Sequence, residues 1–139
     1  LGLGEKLAQP LVNLMFTNHW KIDLITAVPL DTARQRERGY NQSLCLARPL
    51  AWETGLPIVT SIIKRIKKTK SQVGLSLVDR KINVAGAFKA ERKLVYGKSI
   101  LIIDDVVTTG STINSCAEAL MKADALRVYG LTLARSTRL

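Results

Sequence analysis

The run Ile100 to Thr112 constrains the fold of this chain more than any other stretch. It reads Ile-Leu-Ile-Ile-Asp-Asp-Val-Val-Thr-Thr-Gly-Ser-Thr. Four apolar, mostly β-branched residues suit a strand buried on both faces. Two adjacent carboxylates, Asp104 and Asp105, follow where such a strand is expected to leave its sheet. A short hydroxyl-rich loop around Gly110 then enters a helical pattern with Ile113, Ala117, Leu120 and Met121 on one face. The free N–H groups and positive dipole end of a helix start suit a phosphate. Carboxylates only accept hydrogen bonds, so a pair of them suits the vicinal hydroxyls of a ribose, or a hydrated Mg2+. Taken singly, Thr109 or Ser111 could be a helix cap and no more, with the acids favouring the helix N-terminus. The order strand, acids, turn, helix is what points to a ligand both hydroxylated and phosphorylated.

The rest of the chain alternates short strands and helices. Leu3, Leu7, Leu11, Leu14 and Met15 predict an amphipathic helix over residues 1–20, with Pro10 as an interruption. Leu24 to Val28 reads as a strand ended by Pro29, and Gly39 to Glu53 as a helix that Pro49 kinks or restarts. Ile58 to Ile63 reads as the next strand, Lys64 to Ser71 as a basic loop, and Ser76 to Val84 as a short helix. Phe88 sits in an extended piece, Gly97 marks a turn, the helix from Ser111 ends near Asp124, and Val128 to Ala134 is a final strand. The pattern predicts one α/β domain over residues 1–139, with a largely parallel sheet flanked by helices. Parallel sheets bind ligands at the carboxyl ends of their strands. That rule brings together the loop after Val28, the loop after Ile63 and the acids at Asp104.

Composition narrows the function classes. Hydrophobic residues make up 47% of the chain, which excludes a disordered polymer. The apolar runs are short, so no membrane span is expected, and residues 1–20 do not read as a signal peptide. It starts at Leu1 rather than Met, so the natural N-terminus is expected upstream. Cys45 and Cys116 lack metal-ligand spacing and suit a reduced, cytoplasmic core. The lone His19 excludes a multi-histidine metal site and reads as a helix-end or packing residue. A net charge of +10, from 21 Lys and Arg against 11 Asp and Glu, favours a polyanionic partner: nucleic acid, anionic membrane or a heavily phosphorylated small molecule. Arg34, Arg36 and Arg38 form one basic cluster; Lys64, Arg65, Lys67, Lys68 and Lys70 form another. A solvated basic surface accounts for either cluster alone. Aromatic residues, at 5%, are too few for a single-strand stacking platform.

The run from Asp104 to Thr112 resembles the 5-phosphoribosyl-1-pyrophosphate (PRPP) signature of type I phosphoribosyltransferases. Three further segments are similar to the ComF family, competence-associated proteins built on that fold. They are Val28-Pro29-Leu30 continuing to Arg36-Glu37-Arg38-Gly39-Tyr40-Asn41-Gln42, the middle residues Arg65, Thr69, Gln72, Leu75, Arg80, Asn83 and Phe88, and the ending Arg127 to Arg135. The resemblance covers nearly everything from Ile25 onward and implies a type I phosphoribosyltransferase-like, Rossmann-like sheet. It implies that Asp104 and Asp105 are the catalytic pair on the ribose. Val106, Val107, Thr108, Thr109, Gly110, Ser111 and Thr112 would surround the 5-phosphate. Pro29, Leu30, Arg34, Arg36 and Arg38 would form the pyrophosphate loop. Lys67, Lys68, Thr69, Lys70 and Gln72 would lie in a flexible loop, Arg65 to Arg80, that closes over PRPP. Asn41 and Gln42 fit helix capping better than ligand contact. Mg2+ is the implied cofactor, carried by PRPP and within reach of Asp104 and Asp105, with no direct protein ligand assigned.

Two departures stand out. The cysteine-rich, zinc-ribbon-like segment usual in full-length ComF relatives does not occur within these 139 residues, and Asp124 stands where a glycine is usual after the helix, which is expected to alter the helix end rather than the site. The resemblance implies a cytoplasmic transferase of nucleotide or nucleoside metabolism that moves a phosphoribosyl group from PRPP to an unidentified nitrogen acceptor. It implies no membrane partner and is compatible with a homodimer. The alternative is a non-catalytic accessory or regulatory factor that serves the DNA-uptake machinery in competence with the same fold. If the three arginines serve a diphosphate, Ala substitution at Arg34, Arg36 or Arg38 weakens PRPP binding by about one to two decades, the cost of a charge-assisted contact. Ribose 5-phosphate, which lacks the diphosphate, is barely affected. Titration calorimetry with both ligands checks this, and equal weakening of the two points to general charge.

Overall fold

Ile100, Leu101, Ile102 and Ile103 have no exposed surface, because they form the middle of a parallel sheet. The structure, a computed structural model, describes residues 10, 12–29, 42–66, 76, 78, 86–107 and 111–135, with the backbone alone at 42–46, 105–107, 111 and 133–135. In chain order the elements are α1 (residues 12–17), β1 (Leu24–Ala27), α2 (Gln42–Thr54), β2 (Ile63–Arg65) and β3 (Phe88–Ala90). They continue with α3 (Arg92–Val95), β4 (Ser99–Val107), α4 (Ser111–Lys122) and β5 (Arg127–Arg135).

The main sheet runs β1-β4-β5, parallel throughout, with Leu24 opposite Ile100 and Val128 on the far side of Ile100. Asp23 holds this register at the strand starts: its N–H donates to the Ser99 carbonyl (2.8 Å) and its Oδ2 accepts from the Ser99 N–H (2.8 Å). A parallel bridge at Ile58 extends the sheet beyond β1, through Ile25 N–H to the Pro57 carbonyl and Val59 N–H to the Ile25 carbonyl, both 2.9 Å. Side chains alternate along a strand, so the sheet feeds two cores. Ile100 and Ile102 pack with Leu24, Cys116, Leu120, Ile62 and Phe88, under α4 and the β2–β3 pair. Leu101 and Ile103 pack with Ile25, Leu50, Ala47, Val12 and Met15, under α1 and α2. Burying each such aliphatic side chain contributes roughly 1.5–3 kcal/mol.

Three expectations are corrected. Ile58 to Ile63 is not one strand: Ile58 bridges β1, a turn follows at Ser61 and Ile62, and β2 then pairs antiparallel with β3 in a separate sheet. Lys64 and Arg65 therefore belong to β2 rather than to a loop. The helix through Pro49 neither breaks nor restarts, because Ala47 and Leu50 on either side of it are fully buried against the sheet. Pro10 is likewise helical. The single turn α3 has no counterpart in the sequence reading. Of the helix expected over Ser76 to Val84, only Ser76 and Val78 lie inside the described residues. No helix among the described residues is long and apolar enough to cross a membrane.

Helices α1 and α4 close the same way. Trp20 N–H bonds to the Met15 carbonyl and His19 N–H to Phe16, with His19 at φ 55°, so the lone histidine is a helix-end residue. In α4, Ala125 N–H bonds to Leu120 and Asp124 N–H to Met121, with Asp124 at φ 66°. Asp124 also accepts from Arg92 Nε at 2.9 Å, tying α3 to the end of α4. Asp124→Gly relieves a left-handed cost of about 1 kcal/mol and gives up an exposed ion pair worth about the same at most. Its urea midpoint is expected to stay near wild type, whereas Asp124→Ala keeps the cost, loses the pair and drops by about 1 kcal/mol.

Candidate functional site

β1 ends before β4 does. The last paired residue of β1, Ala27, lies opposite Ile103, and Val28 N–H donates to the Ile103 carbonyl at 3.1 Å. β4 continues along β5 to Val107, opposite Arg135. The acids therefore lie inside the strand, not past its end as expected, because β5 is long enough to pair that far. Asp104 is opposite Thr132 and only 9% exposed. Val106 and Val107, expected in the phosphate loop, are strand residues as well.

Asp104 shares its face of the sheet with a half-buried cation. Arg65, the last residue of β2, reaches back across the β1 edge, and its Nη2 donates to the Pro29 carbonyl at 3.1 Å. Its guanidinium lies 4.7 Å from the centroid of the Phe88 ring, its partner across the β2–β3 pair. Both charges are felt by Cys116, two turns into α4. Burial pushes that thiol well above its ordinary range, the Arg65 charge pulls it back, and the Asp104 charge pushes it up again. Cys116 is therefore a packed thiol rather than a nucleophile. Thr26 is fully buried, and its hydroxyl has no hydrogen-bond partner among the described residues.

Of the residues singled out in the sequence, the structure brings Pro29 and Asp104 to this edge, and it places the backbone of Asp105 in β4 and that of Ser111 at the start of α4. Thr112 follows in the first turn, half-buried. Leu30, Arg34, Arg36, Arg38, Lys67, Lys68, Thr69, Lys70, Gln72, Thr108, Thr109 and Gly110 lie outside the described residues. The first turn of α4 sits low on the sheet because Gly130 of β5 lies under it: a Cβ there would come within 3.0 Å of Ile113 Cδ1. Sequence reasoning missed the reach of Arg65 to Pro29, a contact between residues 36 apart that no local pattern encodes.

Residues 23–137 match the family model of the phosphoribosyl transferase domain. Competence protein F of Haemophilus influenzae is 38% identical over 117 residues, covering 81% of this chain and 51% of that protein. DNA utilization protein YhgH of Salmonella typhi is 40% identical over 114 residues, covering 82% of this chain and 50% of that protein. The chain thus spans about half the length of these curated relatives. Among solved structures, an adenine phosphoribosyltransferase superposes with a TM-score of 0.65 over 98% of this chain and 71% of its own, at 16% identity, a likeness of fold alone.

The buried thiol has a measurable consequence. In the unfolded chain Cys116 ionises around pH 9.0, whereas in the folded chain its pKa is raised. Its contribution to stability is complete below that pH and is lost as pH rises above it, by about 1.4 kcal/mol per unit. Urea denaturation at about pH 8 and about pH 10 should show a steeper fall for wild type than for Cys116→Ala. Equal slopes would mean that the thiol ionises freely in the folded state.

Proposed function

We infer a PRPP-directed function from one premise: this chain belongs to the phosphoribosyl transferase domain family and, within it, to the ComF group of competence protein F and YhgH. The observation that carries the inference is Asp104. It is a buried carboxylate on the central strand, one residue past the last β1 partner, on the strand that leads to the α4 N-terminus. A carboxylate so placed orients sugar hydroxyls, and a helix start receives a phosphate. In this reading Asp104 and Asp105 hold the ribose, the segment from Val106 to Thr112 holds the 5-phosphate, and the chain from Pro29 through Arg38 holds the diphosphate.

The reaction assigned to this site is transfer of the phosphoribosyl group to a nitrogen nucleophile. The C1–O bond to pyrophosphate breaks as the C1–N bond forms. Positive charge gathers on the ribose, and the bonding electrons leave with the diphosphate. The protein needs no covalent nucleophile for this step; it needs orientation, fixed charge and exclusion of water. In this reading the charge of Asp104 and Asp105 would stabilise the growing positive charge, and that of Arg34, Arg36 and Arg38 the leaving group. No three metal-binding side chains converge among the described residues. One described carboxylate suits a Mg2+ that arrives on the diphosphate, since Mg2+ keeps most of its shell as water and phosphate oxygen. When bound, that ion neutralises charge on the leaving group.

The printed names of the relatives, competence protein F and DNA utilization protein, favour a second reading. Here the same pocket senses PRPP without turnover, in a protein that serves DNA uptake. Both readings require PRPP to bind. PRPP with Mg2+ is expected to raise the Tm, because the ligand binds only the folded chain. Asp104→Asn combined with Asp105→Asn removes most of that rise while leaving the unliganded melt within a few degrees. An equal rise in the double variant refutes the ribose assignment. Consumption of PRPP in a screen of bases and amines then separates transferase from sensor.

A further inference from the structure

We propose that Arg65 is a positioning residue for the diphosphate end of the site, acting through the backbone of Pro29; the proposal rests on the PRPP reading above. The argument starts at the point where β1 ends. Val28 is the last residue whose N–H is seen to bond to β4. The next residue is a proline, which has no N–H to give, so its peptide cannot be tied to the sheet by a donor of its own. Its carbonyl is the one handle left, and Arg65 Nη2 takes it at 3.1 Å. The guanidinium that does so is itself fixed. Arg65 stands opposite Phe88 in the β2–β3 pair, lies over that ring at 4.7 Å, and is followed by the Ile66 N–H to Ala87 carbonyl bond at 2.7 Å.

One side chain thus joins the two basic segments of the sequence. Arg65 directly precedes the stretch that contains Lys67, Lys68 and Lys70, and the carbonyl it holds directly precedes the stretch that contains Arg34, Arg36 and Arg38. A planar guanidinium can stack on Phe88 and donate in its own plane at once; an ammonium carries the same charge without that shape. The role is therefore geometric as well as electrostatic. Arg65 sets where the chain starts when it leaves β1, and with it the place at which the diphosphate is received. In the same reading the ribose and the 5-phosphate are served by β4 and α4, whereas the Arg65 bond to Pro29 lies at the end of β1.

The test compares wild type, Arg65→Met and Arg65→Lys by calorimetric titration with PRPP, inorganic pyrophosphate and ribose 5-phosphate, each with Mg2+. Arg65→Met should weaken PRPP and pyrophosphate by about ten-fold, as preorganisation of the chain at the end of β1 is lost. Ribose 5-phosphate should stay within about two-fold, and Arg65→Lys should fall between wild type and Met. Proportional weakening of all three ligands, or no weakening of any, overturns the positioning role. Full recovery in Arg65→Lys overturns it in favour of charge alone. If Arg65→Met does not fold, as a thermal melt will show, the lysine variant carries the test through its selective loss of pyrophosphate. Wild-type protein that binds none of the three ligands refutes the phosphoribosyl reading itself, and this role with it.

Discussion

The burial of β4 between two parallel neighbours is the constraint on which the rest of the molecule depends. A parallel pair cannot be closed by a tight turn; each return needs a crossover that leaves the sheet, and helices supply it. Ile100 to Ile103 show why both faces must be covered: two side chains point each way and none retains exposed surface. The two cores follow from that alternation, one under α4 and the β2–β3 pair, the other under α1 and α2. Parallel polarity also brings the carboxyl ends of β1 and β4 to the same edge. The edge that carries Asp104 and Pro29 is thus a by-product of the packing that stabilises the domain.

Charge at that edge is arranged against a dry background. Asp104 and Arg65 both act on a thiol that faces no water, and fields of opposite sign are weakly screened there. The formal excess of +10 acts differently. An excess of that size attracts any polyanion from a distance, within the reach of the Debye length. Such attraction is unspecific, whereas a charge fixed in direction can discriminate. Arg65 belongs to the second kind, because a backbone carbonyl and an aromatic ring fix its direction.

Much of this architecture was legible in the residues. The Ile-Leu-Ile-Ile block marks a strand buried on both faces, and the period through Ile113, Ala117 and Leu120 marks the helix on top of it. The run Ile58 to Ile63 misled because it contains no glycine or proline to flag the turn at Ser61 and Ile62. The strand end at Asp104 misled because polarity was read as exit. A carboxylate can remain in a ladder when the neighbouring strand is long enough, and β5 is. At Pro49 the restart did not occur and the helix runs through, since burial of Ala47 and Leu50 outweighs one missing backbone bond. The family signature pointed to the acids, but which of the basic residues grips the backbone follows from tertiary geometry alone.

Gly130 sets how closely the N-terminal end of α4 approaches the sheet. Ile113 rests on the bare backbone of β5, while at the other end Asp124 and Ala125 donate to the Met121 and Leu120 carbonyls and Asp124 accepts from Arg92. The helix is therefore a lever with a fixed far end and a near end whose clearance is set by one absent methyl group. A side chain at 130 would meet the Ile113 side chain first, at 3.0 Å from its Cδ1. The strain would fall on the first turn of α4, a helix length from the closing bonds at Asp124. Packing at the N-terminal end is in this sense separable from the closure at Asp124, and the two can diverge by substitution at different residues.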